Sequence, residues 1–135
     1  MQSRPLFRRM VEIGRVVLFI EGEYKGKLAV VVEILNRRRV IVDGPKTDVP
    51  RHVASLNNVI FTSIVVDSLS HGVRTGVVAK RWDLQDITAK WNVTRLAKKL
   101  AARRRRSELN DFERFQVMLL KKQRRCEIAR ALVST

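Results

Sequence analysis

Gly14-Arg15-Val16-Val17-Leu18-Phe19-Ile20, then Glu21-Gly22-Glu23-Tyr24-Lys25-Gly26-Lys27, then Leu28-Ala29-Val30-Val31-Val32-Glu33-Ile34-Leu35 reads as strand, glycine-marked basic loop, strand. The apolar runs are short and rich in β-branched residues, which suit a pleated, half-buried surface better than a helix. Val40-Ile41-Val42 and Val59-Ile60-Phe61-Thr62-Ser63-Ile64-Val65-Val66 repeat the pattern. Asn36-Arg37-Arg38-Arg39 links the second run to the third, and Asp43-Gly44-Pro45 ends the third. Pro45 has no N–H for a ladder, and Gly44 tolerates positive φ. Short strands with short links predict a small antiparallel barrel over residues 1–69, not a parallel sheet. A further short strand is expected around Glu12-Ile13-Gly14 or near Arg51-His52-Val53.

Beyond this point the residue pattern becomes helical, and residues 70–135 are expected to form a basic α-helical extension. Ser70 is placed to cap a short helix over 71–82, and a longer helix is expected over 84–107. At about 100° per residue, Leu84, Ile87 and Trp91 lie on one side of that helix. Val93, Leu96, Ala97 and Leu100 lie nearly opposite, and Arg95, Lys98 and Lys99 take the vacated side. Arg103-Arg104-Arg105-Arg106 spans roughly 300° of azimuth, so the four cannot all face one flat surface. Asn110, with Glu113 three residues on, has the form of a capping box that restarts a helix. Phe112, Phe115, Leu119, Cys126, Ala129 and Val133 then make a stripe with Lys122 in its gap. A helix with no core beneath it keeps such a stripe where a partner covers it. Phe112, Phe115, Leu119, Ala129 and Val133 are therefore the expected protein-partner residues.

The 135 residues carry 28 Lys and Arg against 13 Asp and Glu, an excess of fifteen positive charges. Solubility alone needs a net charge of only about 2–8 on a small domain, so the excess points to a polyanion. Residues 1–79 hold 12 basic and 7 acidic side chains, and residues 80–135 hold 16 and 6. Candidate RNA contacts in the first part are Arg15, Lys25 and Lys27 around the glycine-marked loop, Arg37, Arg38 and Arg39 in the next hairpin, and Lys46, Arg51 and Arg74. In the second part they are Lys80, Arg81, Lys90, Arg95, Lys98, Lys99, Arg103, Arg104, Arg105, Arg106, Lys121, Arg124 and Arg125. Each group has a plainer alternative: an ordinary hairpin with solvated lysines, a soluble turn, a solvated amphipathic helix. Three adjacent arginines at a turn repel one another unless neutralised, and phosphate matches the guanidinium fork. Aromatic residues make up only 6% of the chain. Recognition is therefore expected to run through phosphates and RNA shape, not base stacking on aromatic platforms. An anionic membrane surface is the second candidate. It is disfavoured because the helices carry arginine on more than one face.

Catalysis finds no footing. His52 and His71 have no motif around them, Asp43 reads as a turn residue, and Cys126 lies on a helix stripe. There is no paired-cysteine metal spacing, no Walker loop and no Gly-x-Ser-x-Gly, so no enzyme, metal or cofactor is expected. One cysteine allows no intrachain disulfide, which suits a reducing compartment. No apolar run approaches the ~20 residues of a membrane span. The start, Met1-Gln2-Ser3-Arg4-Pro5, has no apolar signal core, which suggests a cytosolic or nuclear protein.

Val11-Glu12-Ile13-Gly14-Arg15-Val16-Val17, Gly26-Lys27-Leu28-Ala29 and Val40-Ile41-Val42-Asp43-Gly44-Pro45 resemble the KOW-type, SH3-like barrel of the eukaryotic large-subunit ribosomal protein family numbered fourteen. Lys90-Trp91, Ala97-Lys98-Lys99 and Asp111-Phe112-Glu113-Arg114-Phe115-Gln116-Val117-Met118 resemble that family's helical extension. The resemblance runs from about residue 8 to 132. It implies a structural protein on the solvent side of the large subunit, bound to large-subunit RNA and neighbouring ribosomal proteins. It also implies a cytoplasmic ribosome location with nucleolar assembly. Arg15, Lys27, Lys98 and Lys99 fall inside matching segments. The usual KOW pattern has glycine where this chain has Ala29, and a long Ala/Lys-rich tail is lacking, as in some members. The rival reading is a KOW-type transcription-elongation or RNA-processing factor, whose barrel docks on polymerase.

Overall fold

A computed structural model describes residues 9–133. The start Met1–Pro5, and the first eight residues of the expected barrel segment, lie outside the described residues. Five strands follow one another: β1 Arg15–Phe19, β2 Leu28–Ile34, β3 Arg39–Gly44, β4 Val49–Ser55 and β5 Val59–Val65. They form one antiparallel sheet in the order β4-β3-β2-β1-β5. The additional strand is the one near Arg51-His52-Val53. It alternates exposed Pro50, Arg51 and Val53 with buried Val49 and Ala54, so no continuous apolar run announces it.

The sheet is curled. A single 3-10 turn, Leu56–Asn58, joins the edge strands β4 and β5. At one end Leu56 N donates to Arg38 O across 2.9 Å, and at the other Asn58 O accepts from Ile20 N at 2.9 Å. Three 3-10 residues rise only about 6 Å. The β2–β3 hairpin and the end of β1 are therefore brought close together, which a flat sheet forbids. Register shifts at Arg15/Val17, Val31/Glu33 and Val42/Gly44 supply the bends. The result is a small barrel-like domain. Its interior holds Val17, Phe19, Ala29, Val31, Val40, Val42, Val49, Ala54 and Val59. Tyr24 and His52 close one end over Phe19, His52 stacking on it at 5.7 Å between ring centres.

The alternate residues Val16, Leu18, Val30 and Val32 are as buried as the interior set, so β1 and β2 are covered on both faces. Helix α1, Thr75–Leu84, packs against β3 and buries Val78 and Trp82, and helix α2, Ile87–Val93, buries Ile87. Asp43 is not at an exposed turn. It is buried in β3 and accepts a 2.7 Å hydrogen bond from Thr75 Oγ1 at the first turn of α1.

Two helix expectations need correction. Ser70 caps nothing, because α1 begins at Thr75, after Arg74. The helix expected over 84–107 is two helices: α2, and α3 over Arg95–Ser107. Thr94 ends the first and caps the second, its hydroxyl accepting from Ala97 N at 3.2 Å. The apolar stripe changes sides where the chain breaks, which accounts for the switch of faces. Leu84, placed on the packing side with Ile87, is exposed because α1 ends there and Asp86 takes positive φ before α2 starts. The last helix, α4, runs Asp111–Val133.

Contacts divide the chain into two compact units between Asn92 and Val93. The expected division near residue 70 marks instead the change from strands to helices, since α1 packs on the barrel.

Among the described glycines, Gly14 has the least room. Its φ is +86°, Gly14 N donates to Val31 O at 2.8 Å, and Val66 N donates to Gly14 O at 2.8 Å. A Cβ there would lie 2.4 Å from Val66 O. Gly22 has φ +91° but open space around it. Gly14→Ala is therefore expected to lower the unfolding free energy by about 2–3 kcal/mol, and Gly22→Ala by about 1 kcal/mol, from backbone strain alone. Urea midpoints of the two variants measure the difference.

Candidate nucleic-acid interface

On the first unit the basic side chains cluster on loops. In the β2–β3 hairpin, Asn36 Oδ1 accepts from Arg38 N at 2.9 Å and Arg39 N at 2.8 Å. This side-chain turn fixes the tip and leaves Arg37, Arg38 and Arg39 exposed. None of the three has a carboxylate within ion-pair distance among the described residues. The β1–β2 loop carries exposed Lys25 and half-buried Lys27, and Lys27 Nζ donates to Asp48 O at 3.4 Å. That contact lays this loop beside the β3–β4 turn, which bears Lys46. Gly22 and Gly26 both have positive φ and nothing within 4 Å of a built Cβ. The loop backbone is thus open to close approach. Arg51, Arg74, Lys80 and Lys90 are exposed, and Arg81 is half-buried. Lys46 is already paired with Asp83 at 2.7 Å, an exposed ion pair of little stability that phosphate can displace.

Arg15 does not belong to this surface. It is 8% exposed. Its guanidinium donates to Met10 O at 3.1 Å, to Thr62 O at 3.2 Å and to the Glu12 carboxylate. The reason lies in the β1–β5 pairing, whose register breaks between Arg15 and Val17. There Thr62 Oγ1 donates to Val16 O at 2.8 Å, and Arg15 satisfies Thr62 O. A phosphate ligand would have to strip these bonds from inside the barrel wall.

The second unit is the more cationic, with thirteen basic and four acidic side chains from Val93 on. Arg95, Lys98, Lys99 and Arg103 to Arg106 are exposed on α3, and Lys121, Arg124 and Arg125 on α4. Arg104 pairs with Glu108 at 3.1 Å and Arg105 with Glu113 at 3.2 Å. Glu113 also accepts from Asn110 N at 3.0 Å, as a capping box requires. Asp111 and Glu113 further suit the positive end of the helix dipole. Neither helix buries a residue. Phe112, Phe115, Leu119, Ala129 and Val133 are all exposed on α4.

Two basic residues that the sequence reading did not single out as RNA contacts are brought into the α4 surface. Arg114 and Lys122 line the same groove as Lys121 and Arg125. Lys122 stands three residues before Arg125, and Arg114 seven before Lys121, spacings that return to one helix face and were the available signal. Among the described residues no group of His, Cys, Asp or Glu is arranged to hold a metal, and no helix is long and apolar enough to cross a membrane.

Residues 50–125 match the family described as ribosomal protein L14, from β4 through the charged run of α3 and into α4. The chain belongs to the ribosomal protein L14 family. It is 51% identical to the large ribosomal subunit protein eL14 of Schizosaccharomyces pombe over 122 residues, 90% of each chain. It is 50% identical to the eL14 of Candida albicans over 125 residues, covering 93% of this chain and 91% of that one. The eL14 of Tetrahymena thermophila is 39% identical over 117 residues, 87% of this chain and 91% of that one. The L14 resemblance thus extends across both compact units, barrel and helices alike.

Burial separates Arg15 from the exposed cations in this L14 chain. Arg15→Lys is expected to lower stability by about 1–3 kcal/mol, since a single compact ammonium nitrogen cannot reach acceptors set around the three nitrogens of a guanidinium fork, and to leave the salt dependence of RNA binding unchanged. Lys98→Gln with Lys99→Gln is expected to leave the urea midpoint in place and to flatten the log–log salt slope by about 1.5. Anisotropy titrations against salt, beside urea melts, read both.

Proposed function

We propose that the chain is a structural constituent of the large ribosomal subunit and not an enzyme. It binds large-subunit RNA through phosphates and packs against neighbouring ribosomal proteins. Membership of the L14 family carries the first part of this reading. The observation that carries the second is the Val93–Thr135 unit, with thirteen cations, four carboxylates and no buried residue in either helix. Such a segment has no interior of its own to hold it, and like charges at this density repel until a polyanion neutralises them.

In this reading the first unit is an SH3-like barrel of KOW type. It meets RNA through the Lys25–Lys27 loop and the Arg37–Arg39 hairpin. The α3 cations take phosphates from more than one side. A protein neighbour covers Phe112, Phe115, Leu119, Ala129 and Val133, whose exposure reaches 88% at Val133. The same contacts support subunit assembly, with joining in the nucleolus and service in the cytoplasm.

Two measurements test the reading. On a sucrose gradient of cell lysate the chain should sediment in stoichiometric amount with large subunits, and its exclusion from them sinks the assignment. Binding of the purified chain to large-subunit RNA fragments should weaken with salt along a log–log slope of about −7 to −9, as neutralising about ten phosphates requires. A slope near zero removes the phosphate contacts.

A further inference from the structure

On α4, Arg114, Val117, Met118, Lys121, Lys122 and Arg125 recur at spacings of three and four and share one face. This face, with the chain turning out of α3, forms a groove of about 620 Å³. Its cations are Arg106, Arg114, Lys121, Lys122 and Arg125. Its apolar part is Leu109, Val117 and Met118, the first two half-buried. No carboxylate lines it. The acids nearby are engaged elsewhere, Glu108 with Arg104 and Glu113 with Arg105 and Asn110 N. The elbow is braced by the Arg105–Glu113 pair and by Arg114 Nε, which donates to Leu109 O at 3.3 Å.

We infer that this groove holds a single unstacked nucleotide of a folded RNA, its base against Leu109, Val117 and Met118 and its flanking phosphates on the surrounding cations. The inference rests on the RNA-binding reading above and narrows it. A face that met only phosphates would need no apolar floor, because cations alone satisfy phosphates. A face that met only protein would not be ringed by five cations with no acid among them. The protein-facing stripe of Phe112, Phe115, Leu119, Ala129 and Val133 is centred about 100° away around α4, with Lys122 on the border between the two faces. An occupant that is anionic at its edges and flat and weakly polar in its middle matches both parts of the groove. A nucleotide has that form. The volume falls within the roughly 300–1,000 Å³ of sites for ligands of that size. Guanidinium planes such as those of Arg106 and Arg114 offer a base further stacking surface, and the Met118 thioether packs well against aromatic rings.

The test uses the full chain and two labelled RNA hairpins of equal length, one fully paired and one with a single nucleotide bulged from the stem. The bulged hairpin is expected to bind about tenfold more tightly, in line with one base stacked in a protein groove. Val117→Gln with Met118→Gln, which places a residue of good helix propensity at one half-buried and one exposed position, is expected to cut that preference below about twofold. The salt slope should stay unchanged in that variant, and circular dichroism should show the helical signal retained. Lys121→Gln with Arg125→Gln is expected to flatten the slope by about 1.5 for both hairpins. Equal affinity for the two hairpins overturns the inference while leaving the phosphate reading intact. So does a preference that survives the Val117/Met118 variant, or displacement of both RNAs alike by an oligoglutamate peptide. Failure to bind either hairpin removes the RNA reading and this inference together.

Discussion

The barrel depends on a repaired irregularity at the start of β1. Curling five short strands into a barrel-like layer needs a break in the ladder, and the break between Arg15 and Val17 leaves backbone groups without their regular partners. Thr62 supplies a hydroxyl to Val16 O, Arg15 supplies a guanidinium to Thr62 O, and Gly14 lets Val66 approach where any Cβ would collide. Buried polar groups are tolerated when every one of them is bonded. The β-bulge is therefore a stable corner, and the interior cluster around Val17 and Val31 can form behind it.

The second unit obeys the opposite rule. Its helices are specified locally, by Thr94 capping α3, by Glu113 on Asn110 N, and by acidic residues at the start of α4. Local terms of this kind amount to about 0.3–2 kcal/mol each, which orders a helix end but not a 23-residue rod. Its ion pairs are exposed and few beside thirteen cations. Under the proposed function, further order in this unit comes from the RNA and protein it binds, because a partner that binds the folded state stabilises it.

The proposed function gives a reason for the large exposed apolar surface that α4 carries in a strongly cationic chain. In that reading, largely separate faces of one helix serve distinct neighbours: aromatic and aliphatic residues toward protein, and an apolar floor ringed by cations toward RNA. A single face could not do both, because desolvating a lysine against a protein core costs far more than leaving it beside phosphate. A rod that separates these tasks by azimuth can stand between the two classes of macromolecule.

The sequence by itself determined most of the local structure. β-Branched runs announced β1, β2, β3 and β5, because strand preference is a property of side-chain shape within a few residues. Asn110 and Glu113 announced the start of α4, and the change of stripe side after Trp91 recorded a break whose place, at Thr94, came with the structure. The basic composition of the extension was equally legible. Tertiary structure decided the rest. Arg15 reads as one more cation beside Lys25 and Lys27, yet it is buried, because its partner Thr62 O lies 47 residues away. β4 has no apolar run to betray it, since Pro50, Arg51 and Val53 face outward, and pairing with β3 made it a strand. Asp43 left the turn class when Thr75 came to meet it from 32 residues on. In each case composition told what a residue can do, while burial and pairing with distant residues told which of those things it does.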